Sequence, residues 1–282
     1  MDGAGDRERR ILGKKGYVCG RLLGKGAFSR VYYVEDAAGG GGFACKVSGN
    51  RELLRREADI MGRLAHPLFP AFYGFWQEAG SGFLLMEYVP GCSAEEMIGR
   101  RGSFRPGQVA RFGMELAEGL LYLHDRPEKL LFRDIKPANI IIRQDGRIRL
   151  LDFGCVCSMR DKPGAYAGSL GYAAPEQLRG DGILTAACDV YGLGRTLERF
   201  LGAEGETEGG SGRERAGDCR WGTGKSLLRI LEECTRPEPS RRIPDMRAVM
   251  DALARPAGTR WGTGRRRRIV YQKNIFDADV PF

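Results

Sequence analysis

The stretch Leu130–Gly154, LLFRDIKPANIIIRQDGRIRLLDFG, constrains this chain more than any other. Two apolar runs of strand character, Ile140–Ile142 and Ile148–Leu151, flank the turn residues Gln144, Asp145 and Gly146. An Asp-Gly turn between two such runs is a strong local signal for a β-hairpin. Polar residues crowd both entrances of this apolar ribbon: Asp134, Lys136 and Asn139 before it, Asp152 after it. A charge beside an apolar hairpin costs free energy unless it is paired, hydrogen-bonded or set on a metal. Two Asp, one Asn and one Lys converging there suit a divalent cation and a phosphate. Mg²⁺ takes one or two hard oxygen ligands from a protein and completes its shell with phosphate oxygens.

A chain of 282 residues can bury a full core, as one large domain or as two lobes. Its 42% hydrophobic and 29% charged content are those of a soluble globular protein. No apolar run reaches the length needed to span a bilayer. The N-terminus, MDGAGDRERR, is charged and lacks the apolar centre of a signal peptide, so a cytoplasmic protein is expected. Eight cysteines are scattered, and Cys155-x-Cys157 is too tight for an ordinary zinc pair; free, mostly buried thiols are expected. The net charge of +9 invites contact with nucleic acid or another anionic surface. Much of it is dispersed Arg plus the run Arg265–Arg268, without interleaved aromatics, which reads first as a solvated tail.

Three further segments carry chemistry. Around Gly24 and Gly26, between two strand-like runs from Tyr17 to Val34, backbone can approach a ligand closely and offer N–H groups to phosphate oxygens, with Val31 placed to cover a base. Lys46 lies inside the strand Phe43–Val47, where a charge needs a partner. The next element supplies one: Leu53, Leu54, Ile60, Met61 and Leu64 form a helical apolar stripe, and Glu57 falls on its face. With eleven positions between Lys46 and Glu57, that helix must begin close to Asn50. Phe83–Val89 then reads as a strand running into Pro90-Gly91, and Gln108–His124 as an amphipathic helix.

RDIKPAN followed by DFG, with Asp152 thirteen residues after Asn139, resembles the catalytic loop and metal-binding motif of eukaryotic-like serine/threonine protein kinases. The resemblance covers about Tyr17 to Ala254. It implies an α+β, two-lobed kinase fold: a flexible lead-in over 1–16, a β-rich N-lobe over 17–87, a mostly helical C-lobe over 88–255 and a basic tail over 256–282. It also implies transfer of the ATP γ-phosphate to Ser or Thr hydroxyls of protein substrates, with ATP and Mg²⁺ bound. By the resemblance Asp134 is the catalytic base and Lys136 the γ-phosphate contact, while Asn139 and Asp152 hold the metal. Gly24, Gly26, Val31, Ala44, Lys46 and Glu57 frame the nucleotide, and Glu87 and Val89 give it backbone contacts beside Met86. Lys136, two residues after Asp134, is the serine/threonine pattern.

The family pattern is broken in places. Ser29 stands where a third Gly is usual, Phe132 replaces the usual His before the Arg-Asp pair, and Ser93, with Glu95 nearby, occupies the usual acidic ribose position. Gly168–Glu176 resembles the block that shapes a peptide groove, Asp189 the brace of the catalytic loop, and Glu176 the partner of Arg242. Arg133 implies a phosphate on the activation segment, yet between Cys155 and Gly168 the only hydroxyls are Ser158 and Tyr166, and Asp161 offers a fixed charge instead. Gly202–Gly224, rich in Gly, Glu and Arg, reads as a loop. A scaffold without activity would have lost Lys46, Asp134 or Asp152; a small-molecule kinase would lack the peptide block.

Overall fold

The computed structural model describes residues 3–161, 168–180, 184–202 and 223–254. Tyr166, the Arg265–Arg268 cluster and most of the Gly202–Gly224 segment lie outside them. The segment ends earlier than its composition suggests, because a helix already begins at Thr223.

The N-terminal part is an antiparallel sheet of β1 (Tyr17–Lys25), β2 (Ser29–Asp36), β3 (Gly42–Ser48), β4 (Phe72–Glu78) and β5 (Ser81–Glu87), in the order β1-β2-β3-β5-β4. Side chains alternate across a strand, and here the alternation separates two sets. Ala44, Leu84 and Met86 join the main core, with Val31 packed against it, whereas Tyr32, Val34, Cys45, Val47, Phe83 and Leu85 form a second cluster on the opposite face. Helix α2 (Arg51–Met61) lies under the first face. Its start agrees with the short Lys46–Glu57 spacing: Asn50 caps it, accepting from the Leu53 amide at 3.1 Å. Leu54, Glu57, Ala58 and Met61 are buried, but Leu53 turns outward and is 42% exposed, one residue off the stripe.

The expected flexible lead-in is instead a helix, α1 (Gly3–Lys14). Ile11 and Leu12 are buried in the cluster on the outer face of the sheet, and that apolar burial overrides the charged composition of the segment.

The C-terminal part is helical: α3 (Ala94–Arg101), α4 (Pro106–His124), α5 (Pro175–Arg179), α6 (Ala186–Leu201), α7 (Thr223–Cys234) and α8 (Met246–Leu253). Helix α4 packs on both α6 and α8, and Gly113 permits the close approach. A Cβ there would stand 2.8 Å from Leu197 and 2.9 Å from Leu253. Short strands lie on this helical body: β6 (Cys92–Ser93) pairs with β8 (Ile140–Ile142), which pairs with β9 (Ile148–Leu150), while β7 (Leu130–Leu131) pairs with β10 (Cys157–Ser158). The β8–β9 ribbon is the hairpin expected from the Asp-Gly turn, with Gly146 at φ 74°. No helix among the described residues is long and apolar enough to cross a membrane. The seven cysteines among them are free.

Candidate active site

Lys46 and Glu57 meet as the helical pattern requires. Lys46 Nζ lies 2.8 Å from both Glu57 oxygens and 2.7 Å from Asp152 Oδ1. Burial works against the Lys46 ammonium, but Glu57 and Asp152 together outweigh it and hold its pKa above the ordinary lysine value. Burial pushes the Asp152 carboxyl up, yet the Lys46 charge, its hydrogen bond and the Gly154 amide prevail and hold it below the usual carboxylate range. Burial raises Glu57, against the pull of Lys46. Glu57 also accepts from the Phe153 amide at 3.2 Å, so one carboxylate ties α2 to both the strand lysine and the residue after Asp152.

Asp152 sits at the end of the β8–β9 hairpin with φ 67°, a left-handed backbone unusual for a residue with a Cβ. Its side chain is 46% exposed, while Phe153 turns into the core. There Phe153 meets Phe132 and Phe69 edge to face, at centroid separations of 5.5 and 5.2 Å. Phe132 is fully buried, so an apolar ring fills the position where a His was the usual expectation.

Asp134, in the loop before the hairpin, is 6% exposed. Its Oδ2 accepts from Lys136 Nζ at 2.8 Å and from Asn139 Nδ2 at 3.2 Å; its Oδ1 is buried without a partner among the described residues. Lys136 also donates to Ser169 Oγ at 2.6 Å, linking the catalytic-loop carboxylate to the segment expected to shape a peptide groove. Because Asn139 Nδ2 is committed to Asp134, the Asn139 side chain keeps Oδ1 as its acceptor.

The loop is held from below. Asp189, fully buried on α6, accepts from the amides of Phe132 at 2.8 Å and Arg133 at 2.7 Å, and its Oδ2 lies 2.8 Å from His124 Nε2. Arg242 spends all five of its guanidinium N–H groups: two on Glu176 at 2.6 and 2.8 Å, and three on the carbonyls of Arg236, Ala187 and Pro237. Two anchors were missed in the sequence. Thr196 Oγ1 reaches the Ile135 carbonyl at 2.9 Å, and Gln177 Nε2 reaches the Arg133 carbonyl at 2.8 Å. Thr196 had a signal, seven residues after Asp189 on one helix face; Gln177 had none. Gly168 must be glycine, since at φ +118° a Cβ would meet Gln177 Nε2 at 2.3 Å and the Arg133 carbonyl at 3.0 Å.

The residues expected to frame a nucleotide lie on or beside the sheet. Gly24 is the penultimate residue of β1, and Gly26 lies just past the strand's end, its amide donating to Ser29 O at 2.8 Å. Val31 on β2 stands opposite Lys46, and Ala44 opposite Met86. Glu87 ends β5, and its amide is spent on the Ala71 carbonyl at 2.8 Å; Val89 follows two residues later. The ribose position is not acidic: Ser93 caps α3 through the Glu96 amide, and Glu95 reaches toward Arg199 at 3.3 Å. Asp161 does not serve Arg133 either. It accepts from the Ser158 amide at 3.0 Å and stands 3.9 Å from Arg56, whereas Arg133 Nε donates to the Cys155 carbonyl at 2.6 Å.

One carboxylate, Asp152, together with the Asn139 amide oxygen is a donor set that fits Mg²⁺, which needs few protein ligands when phosphates supply the others. Accordingly, no cluster of three or more His, Cys, Asp or Glu side chains able to hold a metal occurs among the described residues. Asp134 Oδ1, buried without a partner among the described residues, and the lysines held at Asp152 and Asp134 suit a polyphosphate and a hydroxyl acceptor.

A β-sheet N-terminal part followed by a helical C-terminal part makes up a two-lobed fold. The family described as protein kinase domain matches residues 17–253, and the chain belongs to that family, whose members use ATP with Mg²⁺. It is 31% identical over 204 residues to Aurora kinase A-A of Xenopus laevis, covering 67% of this chain and 49% of that protein. To the serine/threonine-protein kinase PrkC of Bacillus subtilis it is 30% identical over 205 residues, 68% of this chain and 31% of that one. To serine/threonine-protein kinase B of Synechocystis it is 29% identical over 266 residues, 83% and 46%. The chain thus spans half or less of the length of these three relatives.

Proposed function

We propose that this chain transfers the γ-phosphoryl group of ATP to Ser or Thr hydroxyls of protein substrates, with residues 17–255 as the catalytic unit. The observation that carries the reading is the Asp134 carboxylate, which has one oxygen committed to Lys136 and Asn139 and the other buried without a partner among the described residues. Such a carboxylate can orient an incoming hydroxyl and accept its proton while that oxygen bonds to the γ-phosphorus and the bond to ADP breaks. Lys136, fixed between Asp134 and Ser169, neutralises charge on the transferring group, and Lys46, fixed by Glu57, holds the inner phosphates. Mg²⁺, when bound at Asn139 and Asp152, supplies charge neutralisation on the phosphates. Positioning and electrostatics are what this reaction mostly asks of a protein.

The test is transfer of labelled γ-phosphate to a protein mixture, followed by phosphoamino-acid analysis. Phosphoserine and phosphothreonine should dominate, and Asp134→Asn should lose at least ~100-fold in turnover, the ordinary scale of general-base catalysis. Phosphotyrosine as the main product, or an Asp134→Asn turnover within about tenfold of wild type, would refute the assignment.

A further inference from the structure

In α1, Glu8 lies three and four positions before Ile11 and Leu12, so all three share one helix face. Ile11 and Leu12 seat that face on the outer cluster formed by β2, β3 and β5. Glu8 is half-buried at one end of the seat. Its Oε1 lies 2.9 Å from Arg30 Nη1, and its Oε2 accepts from the Tyr32 hydroxyl at 2.5 Å. Burial and the bond to Glu8 push the Tyr32 phenol up to about 12, so it remains a donor. Arg7 donates to the Ala79 carbonyl in the β4–β5 turn, so the helix straps the sheet from β2 across to its far side.

Arg30 and Tyr32 are the outward-facing neighbours of Val31, and Val31 points to the nucleotide face opposite Lys46. The same strand end anchors the glycine-rich turn. Gly26 N bonds Ser29 O at 2.8 Å, and Ser48 Oγ, from β3, bonds Phe28 O at 2.8 Å. One carboxylate from outside the sheet therefore holds both residues that bracket Val31, directly after the turn.

We propose that α1 is a positioning element for the glycine-rich turn, and that Glu8, through Arg30 and Tyr32, sets the affinity for nucleotide without touching it. This rests on the kinase reading of the cleft. An element that only covered the apolar outer face would change stability and leave nucleotide affinity alone, which gives the test its contrast.

The experiment uses the full chain with Glu8→Gln, Arg30→Gln, the double variant and, as a control on the exposed end of the strap, Lys15→Ala. ADP dissociation constants, ATP and peptide KM, kcat and Tm are measured for each. Glu8→Gln should raise the ADP dissociation constant and the ATP KM about fivefold, the scale of one charge-assisted bond, with peptide KM and kcat within about twofold. The double variant should be no worse than the worse single, because both remove one interaction. Lys15→Ala should match wild type. A Glu8→Gln protein with lower Tm and unchanged nucleotide constants overturns the proposal, as does an effect confined to kcat. Wild type that fails to bind ADP or to transfer phosphate would sink the kinase reading as well. Wild type that does both while Glu8→Gln is indistinguishable sinks only the role of α1.

Discussion

Replacing Lys46 by Met should separate the stabilisation of the sheet–helix junction from the phosphate binding proposed for the same side chain. Two ion pairs are lost, and they differ in weight. Toward Glu57 both groups are out of water, with side-chain exposures of 11% and 3%, and both carboxylate oxygens stand 2.8 Å from Nζ. Removing one partner of such a pair strands a buried charge, which costs about 3–5 kcal/mol. The Asp152 leg is as short, but Asp152 is 46% exposed, so solvent screens it and its share of stability is small. For a domain of this size the first leg corresponds to a fall in Tm of about 6–20 °C.

The decisive variant is Lys46→Met with Glu57→Gln. The uncharged amide no longer needs a cation and can still accept from the Phe153 amide, so most of the lost Tm should return. Phosphate transfer should not return, because the ammonium itself is missing from the cleft. Calorimetric melts and labelled-phosphate transfer on wild type, single and double variants form the assay. If the double variant regains activity along with its Tm, the lysine acts only through the fold, and the argument for its role at the phosphates fails. If Lys46→Met melts within about 2 °C of wild type, the weight given to the buried leg is wrong.

Two further outcomes follow. Asp152 titrates below its ordinary value of 3.8, so the stability and the proposed cation binding that need its charge are fully present above that pH and are lost as pH falls through the lower folded value. In Lys46→Met the upward push of burial prevails, and the Asp152 titration midpoint, followed by carboxyl-carbon NMR, should move up; an unmoved midpoint would deny the coupling. Activity should also be independent of phosphate on Ser158, whose hydroxyl donates to the Glu128 carbonyl at 2.6 Å and whose amide donates to Asp161 at 3.0 Å. A phosphate there would displace one bond and bring like charge to Asp161. Dephosphorylated enzyme and Ser158→Ala should both keep wild-type turnover within about threefold, and a loss beyond about tenfold in either refutes this.

Much of the cleft was legible because its residues are packed into short sequence intervals. Asp134, Lys136 and Asn139 lie within six positions, and the β8–β9 hairpin fixes where Asp152 must fall relative to them. A local turn signal was enough to predict that juxtaposition. Lys46 and Glu57 were legible for a different reason: a charge inside a strand and a carboxylate on an apolar helix face both need a partner, and each was the nearest candidate for the other. The boundaries followed less well. Leu53 matched the apolar stripe of α2 and is nevertheless exposed, because the buried arc is set by where Glu57 and Met61 meet the sheet and cannot be read from the helix alone.

What stayed hidden depends on tertiary partners whose identity no spacing encodes. The residues of α1 look like a charged lead-in, since twelve of the first sixteen are charged or Gly, and only the adjacent pair Ile11-Leu12 hints at a seat. That hint has meaning only once the sheet exists, because the outer cluster that receives it is assembled from β2, β3 and β5. Arg133 shows the same limit from the electrostatic side. Its place before Asp134 suggested a search for an anion, and Asp161 was the fixed charge within reach along the chain. The folded segment answers with a neutral group instead. β10 pairs with β7, which brings the Cys155 carbonyl to Arg133 Nε and turns Asp161 back onto the Ser158 amide. A backbone carbonyl can satisfy one guanidinium N–H as well as a carboxylate can in geometry, and it does so without bringing a second charge beside Asp134 and Asp152. The pairing of two two-residue strands, Leu130–Leu131 and Cys157–Ser158, therefore decides which groups face Arg133, and neither strand is long enough to announce itself in the sequence.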